Sequence, residues 1–208
     1  MRGSAHAVLG AAAGFIVAQK VGANPEDVLF LTGAGVVSGL IPDLDTGGKL
    51  ANRISVSNKY LNAAVRLIGI LLGCYAYFFA SGMDEYISFI GAFILLFVLP
   101  QFSKKFMLLL SGVVIAVAGY VLMTIWIQLI GVYVMAASLL AHRSYTHSLL
   151  GLAFYGVISY HFAADFPING LFTACVFGYI SHLIADMRFI PGNKKGIKLF
   201  LPYKGIEL

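Results

Sequence analysis

Charge is what this chain most lacks. Only 11% of its 208 residues are charged, against 60% apolar, and its mean hydropathy is +0.88. A soluble domain is about half apolar and about a quarter charged. A soluble fold of this composition would have no polar surface to show to water, so the chain reads as an integral membrane protein. Its length suits one membrane-embedded domain over residues 1–208, without a separate soluble domain. A strong basic leader is also missing. The first apolar stretch starts after Arg2 and runs into Asn24-Pro25-Glu26-Asp27, which reads as a retained helix rather than a cleaved signal. Cysteine is scarce: Cys74 and Cys175 both lie in apolar stretches and read as small hydrophobes rather than a disulfide or thiolate ligands. Internal repeats and low-complexity tracts are absent.

What is present is a series of apolar blocks. They run over Ser4 to Gly22, Val28 to Ile41, Tyr60 to Ala80, Glu85 to Leu99, Phe106 to Ala141, Ser148 to Ala163 and Asn169 to Ala185. The second is short, about 14 residues or about 21 Å of helix against a hydrocarbon core of about 30 Å, and suits a short or re-entrant helix. The fifth is too long for one span and divides near Thr124 into a tight hairpin. The expected fold is all-α, a polytopic transmembrane bundle of about eight helices.

Charge sets the expected topology. With the N-terminus inside, alternation puts Lys49, Arg53, Lys59, Lys104, Lys105, Arg143 and the basic tail from Arg188 to Lys204 in the cytoplasm. Glu26, Asp27, Asp84, Glu85 and Asp165 fall outside, with Lys20 the one basic residue near them. This is a positive-inside pattern with both termini inside. It also accounts for the net charge of +5, which is then no argument for nucleic-acid binding. The stretch from Lys49 to Arg66 reads equally as a plain basic loop or as an interfacial helix on anionic lipid.

The same topology gathers the rare polar groups. Pro42-Asp43-Leu44-Asp45, His142-Arg143-Ser144-Tyr145-Thr146-His147 and His182 to Asp186 all fall at cytoplasmic helix ends, as does His6. Chance would scatter them over both faces; His161, near an outer end, is the exception. Ionisable groups in a bilayer protein are costly unless paired, solvated or metal-bound. His182 and Asp186 are one turn apart and share a helix face. His142 and His147 do not share one, and fit better with Ser144 or Thr146 capping the next helix, so that His142 ends one helix and His147 enters the other. Pro42 helps to end its helix, and Thr46-Gly47-Gly48 keeps the backbone loose, so Asp43 and Asp45 can turn toward one ion or bridge two.

Imidazoles mixed with carboxylates suit zinc, manganese or iron better than calcium or magnesium, which favour oxygen ligands alone. The donors suffice for one or two ions, and a two-metal site makes water a nucleophile at neutral pH. Arg143 has the planar fork to grip a phosphate, or serves only as a positive-inside charge.

These motifs, in this order, resemble the YdjM-like family of prokaryotic inner-membrane metal-dependent hydrolases, which includes a LexA-regulated member. The family pattern is a first-helix histidine, Pro-Asp-x-Asp, His-Arg-x-x-Thr-His-Ser and a late His-x-x-x-Asp. These are matched here by His6, Pro42 to Asp45, His142 to Ser148, and His182 with Asp186. The tail Gly196 to Pro202 resembles the family's closing segment, whereas Met187 to Lys195 departs from it. The resemblance implies a hydrolase of the cytoplasmic membrane. A looser similarity to helical zinc phospholipase C enzymes implies a lipid ester substrate, by analogy only.

The expected activity is therefore metal-activated water attacking a phosphoester or acyl ester of a membrane lipid at the inner leaflet. The expected ligands are His6, Asp43, Asp45, His147, His182 and Asp186, for a divalent metal with zinc first. His142 serves as ligand or supporting group, Asp43 or Asp45 as alternative general base, and Arg143 as phosphate holder. Two rivals stand beside it. A transporter would place ion ligands near the midplane on broken helices. A membrane scaffold or regulator would use the metal only to tie helices together.

Overall fold

Helix is the form these apolar segments must take where no water can satisfy backbone groups. The computed structural model describes residues 3–46, 58–98, 104–140, 144–188 and 196–202. Among them are eight α-helices and no strand. They are α1 (Gly3–Lys20), α2 (Pro25–Ser38), α3 (Asn58–Phe79), α4 (Met83–Phe93), α5 (Lys104–Val121), α6 (Ile125–Leu139), α7 (Leu149–Asp165) and α8 (Leu171–Ala185). A π-helical turn, Ile94–Val98, extends α4, and 3-10 turns cover Pro42–Thr46 and Tyr145–His147. The all-helical expectation and the count of eight agree with this. One described helical stretch, Asn62–Phe79, is long and apolar enough to cross a membrane; Lys105–Val121, Ile125–Leu139 and Leu171–Ala185 are apolar but shorter.

The helices form two compact units, one of residues 1–54 and 108–208, the other of residues 55–107. In the second, α3 packs on α4 and its π turn, where Gly69 faces Leu95 and Leu96 and Gly91 faces Leu72. The first unit holds every candidate functional residue that is described.

Local signals set the helix ends there. Asn24 caps α2 by accepting the Asp27 N–H at 2.8 Å, with Pro25 at the first turn and Glu26 and Asp27 beside the positive helix end. The break in the long apolar block falls at Thr124, as the hairpin reading requires. Met123 there takes φ 53°, and α5 and α6 pack closely enough that a Cβ on Gly131 would meet the Ala116 nitrogen at 2.3 Å. One expectation is corrected. Neither Ser144 nor Thr146 caps α7; Ser148 does, its hydroxyl accepting the Gly151 N–H at 3.4 Å, so the cap sits beside His147 rather than before it.

Glycine decides the core. α1 and α2 touch backbone to backbone: a Cβ on Gly10 would meet the Gly35 carbonyl oxygen at 2.3 Å, and one on Gly14 the Leu31 oxygen at 2.3 Å. α8 joins them where a Cβ on Gly178 would meet the Gly35 oxygen at 2.7 Å. Small residues permit such close approach between helices in membranes, where the hydrophobic effect gives no pairwise preference. This three-helix contact brings the start of α1, the end of α2 and the end of α8 to one place. Around it, Leu31, Val134, Leu171, Ala174 and Tyr179 are fully buried or nearly so.

Candidate metal centre

The end of α2 is the first component. The helix stops at Ser38, the chain turns at Gly39, and the 3-10 turn from Pro42 carries Asp43 back over the helix bundle. The second is the 3-10 turn Tyr145–His147, which points His147 inward with its side chain fully buried. The third is the last turn of α8, which carries His182, and its C-cap Asp186, whose N–H donates to the His182 carbonyl at 3.1 Å.

These side chains meet. One donor atom from each of Asp43, His147, His182 and Asp186 lies within 4.8 Å of the others. The Nε2 atoms of His147 and His182 are 3.2 Å apart. Asp186 Oδ2 is 3.6 Å from both, and Asp43 Oδ1 is 3.7 and 3.8 Å from His147 and His182. An ion held tetrahedrally at about 2.0–2.1 Å needs donors about 3.3–3.4 Å apart, so the spacing fits with small adjustment.

Outer contacts aim the donors. His182 Nδ1 donates to the Gly39 carbonyl at 2.8 Å, leaving the Nε2 lone pair to face the cluster. His147 Nδ1 lies 3.0 Å from Thr146 Oγ1. The turn holding His147 is itself anchored: Tyr179 donates its hydroxyl hydrogen to the Thr146 carbonyl, and Tyr133 donates to Tyr179 at 3.0 Å. The tail closes the arrangement. The Leu149 N–H donates to the Leu199 carbonyl at 2.9 Å, and Ile197 is fully buried. Gly39, Tyr179 and Tyr133 escape sequence reasoning, and Thr146 enters it only as a candidate helix cap. Only the small-residue spacings Gly10 to Gly14 and Gly35 to Gly39 hint at the packing that recruits them.

His6 is adjacent but not in the four-donor group. Its ring stacks on His182 at 3.8 Å, and its Nε2 lies 3.4 Å from Asp186 Oδ1, the oxygen other than the one facing the two histidines. That contact meets Asp186 at its second oxygen. The Asp45 side chain, His142 and Arg143 lie outside the described residues. His161 is remote on α7, edge-on to Tyr160, as the sequence reading expected. Cys175 is buried and Cys74 exposed, both free thiols.

The carboxylates carry charge. Burial works to raise the Asp43 pKa, but the hydrogen bond from His147 and the fields of the nearby imidazoles outweigh it and hold the group below the ordinary value. Burial opposes ionisation at Asp186 too, and the His6 hydrogen bond and the His182 and His6 fields more than offset it. Two ionised carboxylates and the Nε2 lone pair of His182, gathered beside His147, make a buried site rich in electron donors. A divalent cation balances those donors.

A family model described as YdjM inner membrane protein matches residues 1–208, the whole chain. The chain belongs to that family. Membership makes it an inner-membrane protein and confirms the family resemblance drawn from the histidine and aspartate motifs. Comparison with curated proteins and with solved structures returned no match.

Proposed function

We propose that this family member is a metal-dependent hydrolase of the inner membrane, acting from the cytoplasmic side on a phosphoester or acyl ester of a membrane lipid. The observation that carries the reading is the convergence of Asp43, His147, His182 and Asp186 within 4.8 Å, buried inside an apolar chain. The positive-inside charge pattern supports a cytoplasmic orientation and a multi-pass topology. Placement of the donors at helix ends instead of within broken helices favours an enzyme over a transporter.

His147, His182 and Asp186 would hold the ion, their side chains 0–3% exposed. Zinc is the first choice for two imidazoles with carboxylates, with manganese or iron as alternatives. When bound, such an ion polarises an ester or phosphoryl oxygen and lowers the pKa of water. Asp43 has 20% of its side chain exposed, so it is the donor that solvent and substrate reach first. Its ionised carboxylate can take a proton from an attacking water, as general base. His6 orients Asp186. Arg143 and His142 adjoin this turn in sequence and would meet a phosphate there.

A second reading rests on one observation. Four protein donors complete a tetrahedral shell, as structural zinc sites do, whereas catalytic sites keep a position open. The scaffold reading therefore requires Asp43 as a permanent ligand, and the hydrolase reading requires it to be displaceable. The test is purification in detergent with metal analysis, then assay against a phospholipid panel, with Asp43→Asn and His182→Ala. Turnover by the parent, lost in Asp43→Asn with metal largely kept, supports the hydrolase. No turnover by the parent, with metal loss and unfolding in both variants, supports the scaffold. Full metal retention in both variants removes the site. Cysteine labelling at positions 144 and 81 tests the topology; labelling of both from one side refutes it.

A further inference from the structure

An apolar groove of about 520 Å³ runs beside the candidate metal centre, along the outer side of α2. One end is at Ser38 and Ile41, directly before the turn that carries Asp43. The other is at Phe30, Trp126 and Phe162, toward the opposite end of the unit. From Leu29 to Ser38 the groove follows about 14 Å of helix.

Three features point to an occupant that is a flexible hydrocarbon chain. First, the serine and tyrosine hydroxyls in its wall are already engaged, which leaves the Trp126 indole Nε1, at the far end, as the wall's unpartnered polar atom among the described residues. Ser38 donates to the Ala34 carbonyl at 2.7 Å, so Tyr155 donates its hydroxyl to Ser38 at 2.8 Å, and Ser159 donates to the Tyr155 carbonyl at 2.9 Å. Second, Gly33 lines the groove and a Cβ built there meets nothing within 4 Å. Gly35, two residues on, is required by contact with α1; Gly33 is not. A mid-helix glycine weakens a helix relative to alanine, and the space it keeps open is the groove. Third, the groove's outer lip is continuous with the surface that an inner-membrane protein offers to lipid: Leu29 is 76% and Val37 48% exposed.

We propose that this groove holds one acyl chain of a membrane lipid, with the chain's polar end toward Asp43 and its methyl end toward Trp126. The inference deepens the lipid-hydrolase reading and rests on it for the choice of substrate. Burial of methylenes in the groove would supply the affinity and would set the ester beside the metal centre.

Trp126 is the one tryptophan of the chain and lines the groove, so its fluorescence reports the occupant directly. The experiment is titration of the full-length protein, in lipid-depleted detergent micelles, with phosphatidylglycerol brominated near the chain terminus. Saturable quenching at one lipid per protein is expected, and Gly33→Phe should weaken it at least about tenfold, since its ring fills the groove. Metal content should be unchanged in that variant, because Gly33 touches no donor; if it is not, Gly33→Leu replaces it. Quenching that never saturates and is equal in parent and variant overturns the proposal, because the groove is then ordinary lipid-facing surface. Quenching absent from a parent that is dimeric, with a monomeric Gly33→Phe, also overturns it and assigns the groove to a second copy. Saturable, Gly33-dependent binding without lipid turnover keeps the groove and removes the hydrolase reading, so the two failures are distinguishable.

Discussion

His147 and His182 lie 35 residues apart in the chain, yet their Nε2 atoms face each other at 3.2 Å. Each ring is turned by a bond on its far side, His182 through the Gly39 carbonyl and His147 beside the Thr146 hydroxyl. His182, donating from Nδ1, presents its Nε2 lone pair to His147 inside a cluster that also holds two carboxylates. A cation among these groups makes the arrangement favourable.

Removing one of these donors should remove the ion. His182→Ala and Asp186→Asn should each lower metal stoichiometry in purified protein to near zero after brief chelation that leaves the parent loaded. Elemental analysis reads this directly. A variant that keeps one ion per chain would show that the four donors are not the site.

His6→Phe should behave differently. It keeps a ring against His182 and loses only the contact to Asp186 Oδ1. Outer partners of metal ligands are worth about 10–100-fold in affinity, so a graded weakening is expected and not loss. Chelator competition measures it. A drop as complete as that of His182→Ala would make His6 a ligand.

Metal affinity should fall as pH is lowered. Asp43 and Asp186 titrate below their ordinary value of 3.8, so both stay ionised in mild acid. What these carboxylates contribute to stability is present above that value and lost only as pH falls through their lower folded pKa values. An imidazole ligand must be neutral, and its unperturbed pKa is about 6.5. Proton competition at the imidazoles should weaken binding progressively as pH falls through their own pKa values in the folded protein. Affinity that stayed constant down to the pH at which the protein unfolds would exclude histidine ligands.

Gly35→Ala tests the packing that assembles the centre. Its methyl would stand 2.2 Å from the Gly10 carbonyl oxygen, so α1 and α2 must separate. Overpacking of this kind costs about 1–3 kcal/mol. Thermal stability should drop and metal affinity with it, whereas Gly33→Ala, in open space, should leave both unchanged or improved. Equal behaviour of the two variants would contradict the close helix contact.

Tyr179→Phe removes the hydroxyl that holds the Thr146 carbonyl. A lost buried hydrogen bond costs about 1–2 kcal/mol and would loosen the turn carrying His147. Reduced metal affinity with helicity unchanged by circular dichroism is the expected outcome. Unaltered affinity would show that the turn is held by other contacts.

Apolar blocks, their number and the break at Thr124 were legible along the chain, because they depend on local composition and on where turn-forming residues interrupt it. The pairing of His182 with Asp186 was legible too, since helix periodicity alone sets it. Charge asymmetry pointed to one membrane face for His6, Asp43, His147 and His182. It carried no distances. Which oxygen of Asp186 His6 meets, that His182 is aimed by Gly39, and that Ser148 rather than Ser144 caps α7 were decided by tertiary structure. The reason is physical. Side-chain direction at the ends of separate helices follows from how closely their backbones approach. That approach is set by Gly10, Gly35 and Gly178 meeting across three helices, a contact between residues far apart in the chain.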